Sequence, residues 1–175
     1  MESDRDLIER VNAGDAEAFE VLYRRHRDWA YRLAWRFTGH HQDALDVLQE
    51  TFVYLLKKFP GFELTASMTT FLYPVVKHLA LNLRWRQAAG SGNMEAVAAL
   101  PDTRMGETSR AELAAALSAL SPEQREVVLM RFVDGFSLDE IGTALDIPLG
   151  TAKSRLYKAL RFLRNDPRTR AYFLD

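Results

Sequence analysis

Apolar residues at three- and four-residue spacing recur along almost the whole of this 175-residue chain, and few segments alternate with a period of two. The first spacing puts hydrophobic side chains on one face of a helix, whereas a half-buried strand needs the second. The sequence therefore predicts an all-α fold. A short helix is expected over Asp4–Asn12, stopping at Gly14; Asp15 can cap a long one from Ala16 to Thr38, which Gly39 ends. A third is expected from His41 to Lys58, stopped by "FPGF" (Phe59–Phe62), and a fourth from Met68 to Gln87.

The pattern then lapses. "AAGSGNMEAVAALPDTRMGETS" (Ala88–Ser109) holds three glycines and a proline with little apolar periodicity, as a flexible linker would. Beyond it, Ser109 with Glu112, Ser121 with Gln124 and Ser137 with Glu140 form capping-box signatures, and Pro122 suits a first helical position. Helices are expected to begin near 110, 122 and 138, with a fourth after the "DIP" turn at Asp146–Pro148. The reading is two small helical domains, 1–87 and 109–175, joined by a flexible linker, 88–108.

The formal net charge of −1 conceals an asymmetry: Lys153, Arg155, Lys158, Arg161, Arg164, Arg168 and Arg170 face only Asp166. With no cysteine, disulfides and thiolate metal sites are excluded. The N-terminus is charged from its second residue and no apolar run reaches the length of a membrane span, so a cytoplasmic protein without membrane insertion is expected.

"SLDEIGTALDIPLGTAKSRLYKALRFLR" (Ser137–Arg164) has the form of a helix-turn-helix. Ile141 and Leu145 supply the inner face of its first helix, Gly142 admits the second helix closely, Ile147 plugs the turn, and Ala152 and Leu156 face inward. Thr151, Lys153, Ser154, Arg155, Tyr157 and Lys158 are left pointing outward. Arg and Lys there can contact guanine edges in a major groove, while Thr, Ser and backbone N–H groups hold phosphates. Asp146 stands where such turns commonly have glycine, and Asp tolerates the left-handed conformation better than most residues.

With that motif in place, the sequence resembles the extracytoplasmic-function group of bacterial sigma factors. Leu117–Arg164 resembles the family's region 4, and "DALDVLQETFVYLLKKFPGF…TTFLYPVVKHLALNLRWR" resembles region 2. The resemblance implies a subunit that binds core RNA polymerase, through the clamp helices of the large beta-prime subunit and through the beta flap, and that binds promoter DNA. Region 4 would read the minus-thirty-five duplex and region 2 would capture the melted minus-ten strand. It also implies control by an anti-sigma factor, with no catalytic residue and no cofactor or metal. Asp46, Gln49 and Glu50 occupy the family's aspartate-x-x-glutamine-glutamate pattern, so with Leu45, where this group usually has glutamate, they are the expected polymerase-binding residues.

Lys77, His78, Asn82, Arg84, Trp85 and Arg86 crowd the end of the fourth helix without a carboxylate. Cations that follow phosphates and rings that stack on bases suit a single strand. The resemblance places the strand-capturing loop at "FELTASM", with Glu63, Leu64, Thr65 and Ala66 near an extruded base. Lys77, His78, Asn82 and Arg84 join them as expected minus-ten residues. Three positions depart from the family pattern: Phe71 for tryptophan, Pro74 for arginine and Asn82 for aspartate. Pro74 requires either a helix beginning near Tyr73 or a kink. Trp29, Trp35 and Phe37 of the second helix are assigned to core packing.

Two rival classes are distinguishable. A metal-dependent hydrolase built on "HHQDALD" (His40, His41, Asp43, Asp46) needs a second histidine-carboxylate cluster, which the sequence does not offer. A helix-turn-helix regulator with a ligand-sensing or dimerising N-terminal domain needs a receiver-like α/β pattern or a sizeable pocket in that half.

Overall fold

A computed structural model describes residues 2–91 and 107–170, with side chains described over 2–88 and 111–170. The chain divides into two units, Met1–Ala99 and Leu100–Asp175. The described residues form eight helices and no strand. The expected linker flexibility concerns residues that lie, apart from its ends, outside those described.

The first unit contains α1 (Asp4–Asn12), α2 (Ala16–Thr38), α3 (His41–Leu56) and α4 (Met68–Ser91). Ser3 caps α1 in a reciprocal box with Asp6, and Asp15 caps α2 by accepting from the N–H groups of Glu17 and Ala18. Gly39 ends α2 in the left-handed conformation, φ 72°. The long α2 is the spine, packing against α1, α3 and α4. Around it, Leu7, Leu22, Leu33, Val47, Leu55, Leu72, Tyr73 and Val76 are fully buried. Asp4 pins α1 to α2 by accepting from Arg25 and pairing with His26 Nε2 at 2.9 Å.

Helix α3 ends at Leu56, two residues before the expected Lys58, because the chain tightens: Lys58 N–H bonds the Leu55 carbonyl and Phe59 N–H the Leu56 carbonyl. Helix α4 begins at Met68, so a start near Tyr73 is excluded and Pro74 sits inside the helix. It has no N–H to offer the carbonyl four residues earlier. The same helix continues to Ser91, past the expected end at Gln87.

The second unit contains α5 (Glu107–Ser118), α6 (Pro122–Phe132), α7 (Leu138–Leu145) and α8 (Leu149–Asn165). The boxes at Ser121 with Gln124 and Ser137 with Glu140 form as expected. The expected cap at Ser109 is corrected, because α5 starts at Glu107 and takes Ser109 into its first turn. Serine is tolerated where first-turn N–H groups have no intrahelical acceptor, so the motif alone does not fix the boundary. Ala116, Leu117, Leu120, Val128, Leu129, Ala159 and Leu163 form the core, with Leu113 and Leu156 packed on it. Arg125 closes the α5–α6 corner by donating to the carbonyls of Leu117, Ser118 and Leu120 at 2.6–3.2 Å.

Candidate functional site

The turn between α7 and α8 is built by three residues. Asp146 takes the left-handed conformation, φ 53°, and Ile147 N–H donates to the Gly142 carbonyl at 2.9 Å. A Cβ on Gly142 would lie 3.0 Å from the Ile147 carbonyl oxygen, so the close approach expected there is real. Ile141 and Ala152 are fully buried, and Leu145, Ile147 and Leu156 are half-buried. Outward from this corner, Lys153, Ser154, Tyr157 and Lys158 are exposed, Tyr157 at 68%, while Thr151 and Arg155 are half-buried. Arg155 lies within electrostatic reach of Glu123. That carboxyl is held low mainly by its own backbone N–H and the Ser121 hydroxyl, with Arg155 adding to the effect. The first half of α8 thus presents a donor-rich surface on a rigid corner.

The first unit carries a surface of opposite chemistry. On α3, Val47, Leu48, Phe52 and Leu55 face the core, which leaves Leu45, Asp46, Gln49 and Glu50 exposed on the other face. Asp43 departs from this stripe: it is half-buried and accepts from Gln87 Nε2 at 3.1 Å. Two depressions flank the stripe, and Gln49 borders both. One, about 290 Å³, lies between α3 and α4, with Asp46, Glu50, Leu79, Leu83 and Arg86 among its walls. The other, about 460 Å³ and more apolar, lies between α2 and α3, where Phe19, Tyr23, Leu45, Phe52 and Leu56 meet. Arg86, read from the sequence as part of a basic strand-binding track, therefore stands beside the acidic face. The apolar groove was not foreseen. Its only sequence signal is that Leu45, Val53 and Leu56 are more apolar residues than the inward face of α3 needs.

The segment before α4 and the exposed part of α4 hold the remaining expected site residues. Glu63 and Thr65 are exposed, and Leu64 and Ala66 half-buried. Next to this segment the rings of Phe59, Phe62 and Phe71 pack in sequence, with centroids 5.5 and 4.8 Å apart. Phe71 thus packs on Phe62, the residue that precedes the loop. His78, Asn82 and Trp85 follow one another at helical spacing; Asn82 Nδ2 meets His78 Nε2 at 2.8 Å, and Trp85 is 65% exposed. Lys77 is half-buried. Arg84 donates to the Phe37 carbonyl at 3.2 Å, tying α4 to the end of α2. Trp29, Trp35 and Phe37 are half-buried, as packing residues would be.

His41 Nδ1 meets the Tyr31 hydroxyl at 2.8 Å, and among the described residues no three His, Asp or Glu side chains are grouped to hold a metal. No described helix is long and apolar enough to cross a membrane.

A helix-turn-helix with a donor-rich second helix, on the same chain as a four-helix unit with an acidic face, defines a class of two-unit, all-helical proteins. The family models for sigma-70 region 2 and sigma-70 region 4 match residues 22–90 and 110–163. The chain belongs to the sigma-70 family. It is 32% identical over 161 residues to the ECF RNA polymerase sigma factor SigE of Mycolicibacterium smegmatis, covering 85% of this chain and 61% of that protein. To the ECF RNA polymerase sigma factor BldN of Streptomyces coelicolor it is 30% identical, covering 90% of this chain and 63% of that one. The chain thus spans about six-tenths of the length of these two relatives. Its fold is similar to the sigma factor RpoE of Bartonella quintana, solved with the anti-sigma factor NepR. The TM-score is 0.66 and the identity 22%, over 85% of this chain and 96% of that one.

Proposed function

We propose that this chain is a sigma factor that binds core RNA polymerase and directs promoter-specific initiation. In this reading Thr151, Lys153, Ser154, Arg155, Tyr157 and Lys158 read the minus-thirty-five duplex. Glu63, Leu64, Thr65 and Ala66 take the extruded minus-ten base, with Lys77, His78 and Asn82 along the strand. Arg84 acts there by fixing α4 against α2. Leu45, Asp46, Gln49 and Glu50 dock on the polymerase clamp, and the second unit also meets the beta flap. Region 2 then occupies residues 1–87 and region 4 residues 109–175. The chain performs no catalytic step of its own and works in the cytoplasm, where polymerase and promoter are.

The observation that carries the reading is the division of α3. Asp46, Gln49 and Glu50 stay in solvent while Val47 and Leu48 between them close the core. An acidic face that the fold does not need is suited to a basic partner, whose approach it steers and whose register it fixes. An anti-sigma factor competing for these surfaces is the expected regulator, as the likeness to a sigma factor solved with such a partner suggests.

Reconstituted transcription with core polymerase tests the proposal. The chain should confer initiation at discrete start sites with one shared minus-ten and minus-thirty-five pattern. Binding to the same DNA as an isolated regulator, with no start-site selection by the core enzyme, would contradict it.

A further inference from the structure

We propose that Asn12, the last residue of α1, is a positioning residue for minus-ten recognition; the inference rests on the reading of Glu63–Ala66 as the base-capturing loop. Its side chain spans 50 residues of sequence to hold the start of that loop. Oδ1 accepts from the N–H groups of Gly61 and Phe62 at 2.7 and 3.1 Å, and Nδ2 donates to the Phe62 carbonyl at 2.9 Å. Both polar groups of the Phe62 backbone are thereby satisfied by one amide, as a neighbouring strand would satisfy them. Asn12 lies outside the residues that the region 2 family model matches.

The other end of the loop is held independently. Ser67 Oγ accepts from Thr70 N–H at 3.2 Å and meets the Thr70 hydroxyl at 2.6 Å, fixing the start of α4. Four residues, Glu63 to Ala66, are therefore strung between two fixed points, and Glu63 and Thr65 between them project into solvent. A loop held in one shape presents the extruded base with fixed partners, whereas a loosened loop can readjust around a disfavoured base and so narrows the free-energy difference between the two. Asn12 is itself held, because Leu7, Ile8 and Val11 bury α1 against the unit.

The test uses the full chain in reconstituted holoenzyme. Initiation rates are measured on promoters that differ at the melted minus-ten bases, with amide exchange of the free chain alongside. Asn12→Ala should accelerate exchange at Gly61 and Phe62 and reduce the preferred-to-disfavoured base ratio by about fivefold, the worth of about one net hydrogen bond. Core affinity and minus-thirty-five preference should be unchanged. Asn12→Asp, which keeps the acceptor for both amides, should retain more of the ratio. Val11→Ala, a packing loss on the same helix, should lower the melting temperature and leave the ratio intact. If Val11→Ala erodes the ratio equally, or Asn12→Ala leaves it unchanged while exchanging Glu63–Ala66 alters it, the positioning role is overturned and the loop reading survives. If exchanging the loop itself changes nothing, the loop reading fails and this inference with it.

Discussion

Single side chains decide how α8 can be used. Arg155 is half-buried beside Glu123, whereas Lys158 is exposed one turn further on. They should fail differently. Losing a specific base contact at Arg155 costs about 1–3 kcal/mol at one promoter position, while losing a phosphate contact at Lys158 weakens all promoters and reduces the salt slope by about one. Titrations of Arg155→Ala and Lys158→Ala against minus-thirty-five duplexes at several salt concentrations distinguish these outcomes, and unchanged affinity in both would remove the α8 docking. Gly142 is the residue on which the corner depends. A methyl there gains about 1 kcal/mol of helix propensity, but it meets a carbonyl at 3.0 Å whose own residue is bonded back to Gly142. Overpacking costs about 1–3 kcal/mol, so Gly142→Ala should lower the stability of the second unit by roughly 1 kcal/mol, read by denaturant melts.

At the scale of elements, the contact between α1 and α2 predicts a pH dependence. Burial pushes His26 below its ordinary value of 6.5, outweighing the opposite pull of Asp4, and Arg25 pushes the same way as burial. A histidine with a lowered folded pKa binds fewer protons than in the unfolded chain, so its stability contribution is intact above about 6.5 and declines as pH falls below it. All three tryptophans, Trp29, Trp35 and Trp85, lie in the first unit, so their fluorescence reports its unfolding alone. The midpoint should fall between pH 7.5 and 5.5, and His26→Gln should flatten the change; a flat wild-type profile would contradict the assignment. Much of this architecture was legible because caps are local. Asp15, Gly39, Ser121 and Ser137 act within their own turn, and the structure places helix ends at each. The start of α5 and the end of α4 at Ser91 were less legible, since serine and glycine shift helix energies by amounts that tertiary packing can override. The bonds from Asn12 to Gly61 and Phe62, and the place of Arg86 beside α3, depend on how helices come together, which no short stretch of sequence records.

For the whole molecule, the near-zero net charge averages two surfaces of different chemistry, a donor-rich α8 and an acidic α3, proposed above to take nucleic acid and protein. The central claim is that the second of these is a docking face and not merely a solvated one, and the fold provides its own control. Val47→Asp puts a carboxylate into the core and should destabilise the first unit before any partner is added, seen as a lower tryptophan-fluorescence melting midpoint. Asp46→Arg changes a residue the core does not use, and should preserve the helical circular dichroism and the melting curve. Against a basic partner the same change sets like charges together, at a cost of several kcal/mol. The most direct measurement is the affinity of Asp46→Arg for core RNA polymerase, made beside its circular dichroism and melting curve. The account predicts a normal fold with affinity lowered by at least about tenfold; a normal fold with undiminished affinity would contradict it.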